Sequence, residues 1–334
     1  MGWEPEPHAL PARLRSNALL LPSGRAWRAG LADHLHRVMA RWSLVHDADA
    51  GTWWARHSAV VVPVLSETGR PLALKASIPD DDLLTEAWAL EIWAGDGAVR
   101  MLRHEGFDLL LERLAPDADL GAVPMEEACG HWGALMARLS LPADPVWPPF
   151  GRTDALAERW NDEFPADWEE LGRPFPRSVL EAALDVCQYR GAVSRRDSDD
   201  FLVHADLNYH NVLARPSGGY AAIDPQGIVG DREFAVLPML HNRLGDLPPR
   251  NQAAALRGRL RILGSAAGID AGLAAAWSVA RAVEDTLWFT RHGRAPDAER
   301  SLWVATALAG LDVSHLPAAS DLKPLVQPGA GAGR

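Results

Sequence analysis

The sequence predicts an α+β protein of two lobes, with a small antiparallel β-sheet lobe with one helix over residues 1–114 and a larger, mainly helical lobe over residues 115–326. Three observations favour this class. The chain has 334 residues, which is long for a single hydrophobic core. A strand–strand–helix–strand–strand pattern occupies the N-terminal part, and helical periodicity dominates after the polar segment 116–119. The glycine-rich stretch 327–334 is predicted to be a disordered tail.

The small lobe is predicted from two hairpins and the helix between them. Apolar, β-branched runs at 57–65 and 71–76 flank the turn 66–70. A helix follows from about 81 to 94, because acidic residues suit its N-terminus and the glycines at 95 and 97 end it. Residues 99–103 and 107–111 form the second hairpin, and a further helix is expected around 27–42.

The large lobe is predicted from segments of helical length and periodicity. These segments are 124–139, 153–171, 177–190, 250–264, 271–291 and 297–310. One β-rich island, residues 201–229, interrupts them. Because loops held by rigid elements carry most functional residues, this island is the first place to look for chemistry.

Composition and charge narrow the class of partner. The net charge of −11 argues against nucleic acid, whose phosphates need dense positive charge, and it is compatible with a cationic small molecule. Cys129 and Cys187 are too few and too far apart for a disulfide framework or a zinc knuckle. No segment approaches the length of a membrane span or of a signal core. We therefore expect a cytoplasmic protein that contacts no membrane, and a monomer is favoured.

The island contains the polar side chains that indicate a reaction. His204, Asp206 and Asn211 follow an apolar strand start, and a hairpin then leads to Asp224. This order brings two carboxylates and an amide together. Phosphoryl transfer needs such a set, because it depends on positioning and charge neutralisation rather than on covalent help from the protein. Asp206 would position an attacking hydroxyl, Asn211 and Asp224 offer the oxygen ligands that Mg²⁺ prefers, and His204 would brace the loop.

The motif His-x-Asp-Leu-x-x-x-Asn, followed by a hairpin and Ile-Asp-Pro, resembles the aminoglycoside phosphotransferase family, a branch of the protein-kinase-like fold. The string from Ala222 to Asp231 is most similar to its streptomycin 6-kinase and hydroxyurea phosphotransferase subgroup. The resemblance implies a protein-kinase-like two-lobe fold and a kinase that uses ATP and Mg²⁺. The implied acceptor is a hydroxyl of an aminoglycoside-like or hydroxyurea-like molecule, and the implied role is antibiotic resistance. It also implies that Asp206 is the catalytic aspartate and that Asn211 and Asp224 hold the metal.

Four positions depart from the pattern of this subgroup. Ala205, Asn208 and His210 stand where the subgroup usually has Gly, His and Gly, and Gln226 stands where it often has Lys. None of the four carries an assigned chemical role. The first three flank the catalytic aspartate, so they bear on which acceptor is used.

A kinase-like site also needs a strand lysine paired with a glutamate on the next helix. Lys75, in a chain whose basic residues are nearly all arginine, lies in the second predicted strand and is assigned to the ATP phosphates. Glu86 and Glu91 differ by about 140° around the helix axis, so only one of them can face Lys75. The family pattern favours Glu86. Glu112 and Leu114 are assigned to the hinge that holds the adenine.

Acidic residues after the metal-binding loop suggest where the acceptor binds. Asp231 is assigned to the substrate, because a carboxylate there suits an ammonium or guanidinium group. Glu233, Glu284 and Asp285 are secondary candidates whose ordinary explanation is helix capping or a solvated helix surface.

Several alternatives stay open at this point. The acceptor could be another metabolite, such as an aminosugar, and the chain could be a non-catalytic nucleotide-binding module. His204, Asp206 and His210 could instead form a transition-metal triad. The loop that covers the phosphates has no glycine-rich motif, and Gly51-Thr52 is its best candidate.

Overall fold

The computed structural model describes residues 23–51, 53–55, 58–79, 84–191 and 200–324, together with Leu14. The chain divides into two compact units. Among the described residues, the first comprises those up to Pro116 together with Ala214–Ala221, and the second comprises those within 117–213 and 222–324. Thr52, the tail 327–334 and the predicted element starts at 57 and 81 lie outside the described residues.

The first unit is built on an antiparallel sheet. Its helices are α1 (Gly24–Arg41) and α2 (Leu84–Trp93), and its strands are β1 (Val45–His46), β2 (Trp54–Ala55), β3 (Ala59–Leu65), β4 (Pro71–Ser77), β5 (Met101–Glu105) and β6 (Asp108–Glu112). The strand order is β1–β3–β4–β6–β5, and β2 also pairs with β3. The long strands β3 and β4 therefore lie inside the sheet, where both of their edges are paired.

Alternation along β4 sends its side chains to two faces of the sheet. Leu72, Leu74 and Ala76 belong to a buried apolar cluster that α1 also enters. Because successive strand residues point to opposite faces, Lys75 lies on the face away from this cluster. Lys75 is nevertheless buried, at 5% exposure, so its charge must be satisfied by a partner within the protein.

The second unit combines long helices with short strands. Its helices are α3 (Met125–Leu139), α4 (Thr153–Glu170), α5 (Arg177–Arg190), α6 (Leu237–His241), α7 (Gln252–Ala267), α8 (Ala271–Arg291) and α9 (Ala295–Leu308). The long helices begin and end within about three residues of the predicted bounds. The α+β class predicted from the sequence is confirmed.

The β-rich island differs from its prediction in one respect. Strands β7 (Leu141–Pro142), β8 (Gly151–Arg152), β9 (Phe201–His204) and β12 (Gly227–Gly230) form a sheet in the order β7–β9–β12–β8. Its β8–β12 pair is parallel and joins segments far apart in the chain. The predicted hairpin is β10 (Val212–Ala214) with β11 (Tyr220–Ala222). Two-residue strands such as β7 and β8 are too short to show alternation, so the sequence does not predict this sheet.

Within the part of the chain that the structure describes, no helix is both long enough and apolar enough to cross a bilayer.

Candidate active site

His204, at the end of β9, makes two hydrogen bonds that fix the loop carrying Asp206. The backbone N–H of Asp206 donates to Nδ1 of His204 at 3.2 Å, and Nε2 of His204 lies 2.9 Å from the carbonyl oxygen of Ile223. Because Nδ1 accepts, Nε2 must carry the proton that is donated to Ile223. His204 therefore ties the loop that carries Asp206 to the residue that precedes Asp224.

Both carboxylate oxygens of Asp206 face amide donors. Nδ2 of Asn211 lies 2.9 Å from Oδ2 of Asp206 and 2.8 Å from its backbone carbonyl oxygen. Nδ2 of Asn208 lies 3.3 Å from Oδ1. Oδ1 of Asn208 also accepts the N–H groups of His210 and Asn211 and so caps the short 3₁₀ turn Tyr209–Asn211. The carboxylate of Asp206 is thus fixed in one orientation.

The electrostatic setting of Asp206 combines burial with charges of both signs. Burial is the main reason that the pKa of Asp206 rises to about 6, and the nearby charge of Asp224 raises it further. Hydrogen bonds from Asn208 and Asn211 and the positive charge of Arg281 oppose this rise. The sequence patterns assign no role to Asn208 or Arg281. Only the capping preference of asparagine could have drawn attention to the first.

Asn211 and Asp224 are brought together by the backbone. The N–H of Ile223 donates to the carbonyl oxygen of Asn211 at 2.9 Å, which sets Asp224 next to Asn211. Because Nδ2 of Asn211 is used by Asp206, its amide oxygen is the atom left to bind a cation, and it accepts no hydrogen bond from the described residues. Asp224 has φ 53°, in the left-handed region that residues other than glycine seldom adopt. Such backbone strain is found at functional sites.

The alternative of a transition-metal triad is wrong. Among the described residues, no group of three or more His, Cys, Asp or Glu side chains is arranged to hold a metal. His210 points Nδ1 at Oδ2 of Asp119, 2.7 Å away, and both ring nitrogens of His204 are already hydrogen-bonded. An amide oxygen and a carboxylate suit Mg²⁺, which keeps water and phosphate oxygens as its other ligands.

In the first unit, Lys75 of β4 pairs with Glu86 of α2. Nζ of Lys75 lies 2.6 Å from each carboxylate oxygen of Glu86, and both side chains are buried. Glu91, on the other side of the helix, is exposed. The structure therefore selects Glu86 over Glu91 as the partner of Lys75.

The two hinge candidates have different surroundings. Oε1 of Glu112 accepts the backbone N–H of Arg100 at 2.8 Å and the guanidinium of Arg215 at 3.0 Å. Leu114 is buried. The side chain of Glu112 thus holds the end of β6 in place, and binding of adenine by this segment stays a prediction that concerns its backbone groups.

The placement of Asp231 corrects the expectation that it faces an acceptor. Asp231 is 4% exposed, and the guanidinium of Arg190 donates to both of its carboxylate oxygens, with Nε 2.7 Å from Oδ2. Nε1 of Trp277 donates to Oδ2 as well, at 2.8 Å. Glu233, a secondary candidate, accepts the N–H of Asp270 at 3.1 Å. These protein donors and the burial leave Asp231 no role in binding a soluble cation.

The pairings inside each unit are those with which kinases hold a nucleotide and its metal, so the chain is a kinase-like phosphotransferase. The family of aminoglycoside/hydroxyurea antibiotic resistance kinases matches residues 41–293, and the chain belongs to this family.

Named relatives extend over most of the chain. A streptomycin 6-kinase from Streptomyces griseus is 35% identical over 86% of this chain and 92% of its own length. A hydroxyurea phosphotransferase from Kitasatospora aureofaciens is 31% identical over 86% of this chain and 82% of its own. The protein is therefore an enzyme that phosphorylates a hydroxyl group of a small molecule. The alternative of a non-catalytic nucleotide-binding module is wrong.

Solved structures agree on the fold. The aminoglycoside phosphotransferase APH(4)-Ia, as a thermostable mutant in complex with ADP and hygromycin B, has a TM-score of 0.55 and 13% identity, covering 82% of this chain and 97% of its own. A macrolide 2′-phosphotransferase from Brachybacterium faecium has a TM-score of 0.52 and 17% identity, covering 83% and 98%. The protein-kinase-like fold implied by the sequence motif is confirmed.

Proposed function

We propose that the protein transfers the γ-phosphate of ATP, with Mg²⁺, to a hydroxyl of a streptomycin-like aminoglycoside and so acts as an antibiotic resistance kinase. The observation that carries the proposal is the bonding of Asp206 to Asn211 beside Asp224. Relatives from two Streptomyces species, 35% and 31% identical to this chain, are named streptomycin 6-kinase, which supports this acceptor class.

Asp206 is the residue that meets the acceptor hydroxyl in this proposal. A carboxylate can accept the proton of an attacking hydroxyl and can orient the oxygen towards the phosphorus. The amide donors on its two oxygens hold it in one rotamer. Because the carboxylate does not have to reorganise during the reaction, part of the cost of alignment is met before the acceptor binds.

Asn211 and Asp224 would hold Mg²⁺ through an amide oxygen and a carboxylate. The use of the Asn211 amino group by Asp206 supports this role, because it orients the amide oxygen. When bound, Mg²⁺ neutralises the negative charge of the nucleotide phosphates. His204 would act by position alone, since its ring is occupied by the loop and by Ile223.

Lys75 would bind the ATP phosphates, and Glu86 would orient it. The equal distances from Nζ of Lys75 to the two oxygens of Glu86 support this role, because they hold the ammonium in one position. The segment from Glu112 to Leu114 would hold the adenine. Dependence on ATP fits the cytoplasmic localisation predicted from the sequence, which stays a prediction, as does the monomeric state.

Hydroxyurea is the second candidate acceptor. The relative from Kitasatospora aureofaciens is named hydroxyurea phosphotransferase and is as similar in sequence to this chain as one of the two Streptomyces kinases. Hydroxyurea is small and neutral, whereas streptomycin is large and carries guanidinium groups. The two acceptors therefore place opposite demands on the charge of the binding surface.

The test is mass spectrometry of products formed from Mg-ATP and a panel of streptomycin, hydroxyurea, hygromycin B and an aminosugar. We expect one added phosphate on streptomycin, and a turnover lowered by about 10²–10⁴ in Asp206→Asn with the fold intact. Phosphorylation of hydroxyurea or the aminosugar alone would replace the proposed acceptor. Undiminished turnover in Asp206→Asn would refute the role of Asp206.

A further inference from the structure

His210 departs from the pattern of the subgroup and has a hydrogen-bond partner on a distant part of the chain. Its Nδ1 lies 2.7 Å from Oδ2 of Asp119, a residue 91 positions away in the sequence. Because a carboxylate oxygen accepts, Nδ1 carries the proton of this hydrogen bond. Glycine, the usual residue of the subgroup at this position, could not make it. The groups proposed for phosphoryl transfer include neither His210 nor Asp119, so the pair needs another explanation.

The segment around Asp119 leaves a fitted space for the ring of His210. A Cβ atom added at Gly121 would lie 2.6 Å from Cε1 of His210 and 3.1 Å from its Nδ1, so a larger residue would displace the imidazole. The backbone N–H of Gly121 also donates to Oδ1 of Asp119 at 2.8 Å, which fixes the carboxylate. The Nδ1–Cε1 edge of the ring therefore lies against this segment.

Further contacts join this segment to the turn that carries His210. The N–H of Leu120 donates to the carbonyl oxygen of Tyr209 at 3.1 Å. Nη1 of Arg243 donates to the carbonyl oxygens of Leu120 and Val123, at 3.3 Å and 2.7 Å. The guanidinium of Arg243 also lies 5.2 Å from the centre of the Tyr209 ring. The two segments thus form one rigid support, which is what a side chain that recognises a ligand requires.

The same turn holds Asp206. Oδ1 of Asn208 accepts the backbone N–H of His210 at 2.9 Å, while Nδ2 of Asn208 lies 3.3 Å from Oδ1 of Asp206. One amide side chain thus bridges the backbone of His210 and the carboxylate that meets the acceptor hydroxyl in the proposed function. His210 is therefore within two hydrogen bonds of Asp206, close enough for one sugar-sized molecule to touch both.

Nε2 of His210 is the ring atom left for a ligand. It makes no hydrogen bond to a described residue, and it is not sealed from solvent, since the side chain is 15% exposed. With the proton on Nδ1, Nε2 of the neutral ring accepts hydrogen bonds, so it suits a hydroxyl and not a phosphate oxygen. A carboxylate on Nδ1 fixes the tautomer and the orientation of the ring and so prepares Nε2 for a partner.

We propose that His210, oriented by Asp119, is a specificity-determining residue of this kinase and that its Nε2 accepts a hydrogen bond from a second hydroxyl of the acceptor. The acceptor is then a polyhydroxylated ring, in which one hydroxyl meets Asp206 and another meets His210. Hydroxyurea has a single hydroxyl and lacks the second. This inference rests on the proposed function, because Asp206 must meet a hydroxyl of the same molecule.

The test compares the kinetics of four proteins with streptomycin as the acceptor. They are the wild type, His210→Asn, His210→Ala and the control His315→Ala, which removes an exposed imidazole of the same unit. In His210→Asn, the amide nitrogen takes the place of Nδ1 and keeps the hydrogen bond to Asp119, whereas Nε2 is lost. We expect the KM for streptomycin to rise about fivefold in His210→Asn, as for one lost hydrogen bond, and at least as much in His210→Ala. The KM for ATP should stay unchanged, and the control should match the wild type.

The result for His210→Asn decides between contact with the acceptor and support of the turn. An unchanged KM for streptomycin in this variant overturns the inference, and a rise confined to His210→Ala would mean that the pair with Asp119 only braces the turn. A rise in the KM for ATP as large as that for streptomycin also overturns it, because Nε2 would then contact the nucleotide or support the site as a whole. In each of these cases the kinase function stands.

Should the wild type not phosphorylate streptomycin, the proposed acceptor fails, and the comparison is repeated with the member of the panel that is phosphorylated. A rise in the KM for the aminosugar in His210→Asn supports the inference, because an aminosugar also carries several hydroxyls. Phosphorylation of hydroxyurea alone, or of no member of the panel, overturns the inference together with the proposed acceptor.

Discussion

Asp231 and Asp285 are carboxylates of the same unit in opposite settings. Asp231 is buried and accepts hydrogen bonds from Arg190 and Trp277. Asp285 is partly exposed beside a neutral His241, and burial raises its pKa to about 7. The comparison teaches that proximity to the loop of Asp206 in sequence does not decide whether a carboxylate is paired inside the protein. A carboxylate whose partners are all internal serves the fold, whereas one that is partly exposed can still be reached from solvent.

This difference predicts the direction in which substitutions of the two residues change the stability of the protein. Removing a carboxylate that is fully paired leaves the buried guanidinium of its partner unpaired and destabilises the protein. Removing the charge of a carboxylate that lacks sufficient positive partners should stabilise the folded protein, because functional sites are often held in a state that is not the most stable one. Substitutions in the two regions should therefore change stability in opposite directions.

The largest effect is expected for Asp231→Ala. The change strips Arg190, itself 9% exposed, of its ionic partner, so the free energy of unfolding should fall by about 3–5 kcal/mol. Urea denaturation followed by circular dichroism measures it. Asp185→Ala, which removes an exposed carboxylate of α5, should change stability by less than about 0.5 kcal/mol. A loss in Asp231→Ala no larger than in this control would mean that the Arg190 pair is not structural.

The sequence predicts the cluster around Asp206 and the Lys75–Glu86 pair better than it predicts the surroundings of the other acidic side chains. Lys75 and Glu86 are found because a lone lysine in an apolar strand and a glutamate early in the next helix form a local pattern. Asp206, Asn211 and Asp224 lie close together along the chain. Their spacing therefore carries the information about where they lie in space.

Asp231 and Asp285 show why the rest is not predicted. The partner of Asp231 is Arg190, 41 positions away, and no local pattern announces it. In the sequence, Asp285 looks like an ordinary helix charge. What raises its pKa is burial and the charge of Glu284, and the burial comes from tertiary packing that brings His241 of α6 within 3.5 Å. The sequence favours Asp231 over Asp285 for contact with the acceptor. Tertiary packing buries and pairs Asp231 and leaves Asp285 partly exposed.

A substitution at Gly230 tests whether the region of Asp231 stabilises the fold. Its φ is +153°, and a Cβ atom there would lie 1.9 Å from Oγ1 of Thr153, the atom that accepts the backbone N–H of Asp231. Gly230→Ala should therefore cost about 2–4 kcal/mol of stability, through steric overlap and backbone strain together. Gly218→Ala is the matched control, because Gly218 also has positive φ, +98°, but has open space around it. Thermal unfolding of both variants separates overlap from strain, and equal losses would remove the steric part of the argument.

Glu86→Gln tests a carboxylate that is fully paired with Lys75 and that we expect to serve both the fold and the binding of ATP. The amide keeps the shape of the side chain but removes the charge that holds Lys75, so the KM for ATP should rise about 10-fold while the KM for the acceptor changes little. Glu91→Gln on the same helix is exposed and should leave both constants unchanged. Steady-state kinetics with each substrate varied in turn measures the difference. Parallel rises in both constants would show that Glu86 supports the fold as a whole and does not orient Lys75 for ATP.

The smallest effect, and the one that decides the comparison, is the stability of Asp285→Asn as a function of pH. The folded-state pKa of Asp285 is about 7, above the ordinary aspartate value of 3.8, because burial and the charges of Glu284 and Asp206 outweigh those of Arg281 and Arg300. Ionisation therefore costs the folded state stability that is fully present below pH 3.8 and is lost as the pH rises through 7.

Asparagine has no charge to lose, so the advantage of the variant should grow from pH 5 to pH 8. Solvent screening of this partly exposed group limits the gain to about 2 °C in Tm at pH 8. Differential scanning fluorimetry of both proteins across this range measures it. A structural ion pair with Arg281 would give the reverse result, with the variant less stable at pH 8 than the wild type. A less stable variant at pH 8 would show that Asp285, like Asp231, is paired within the protein and stabilises the fold.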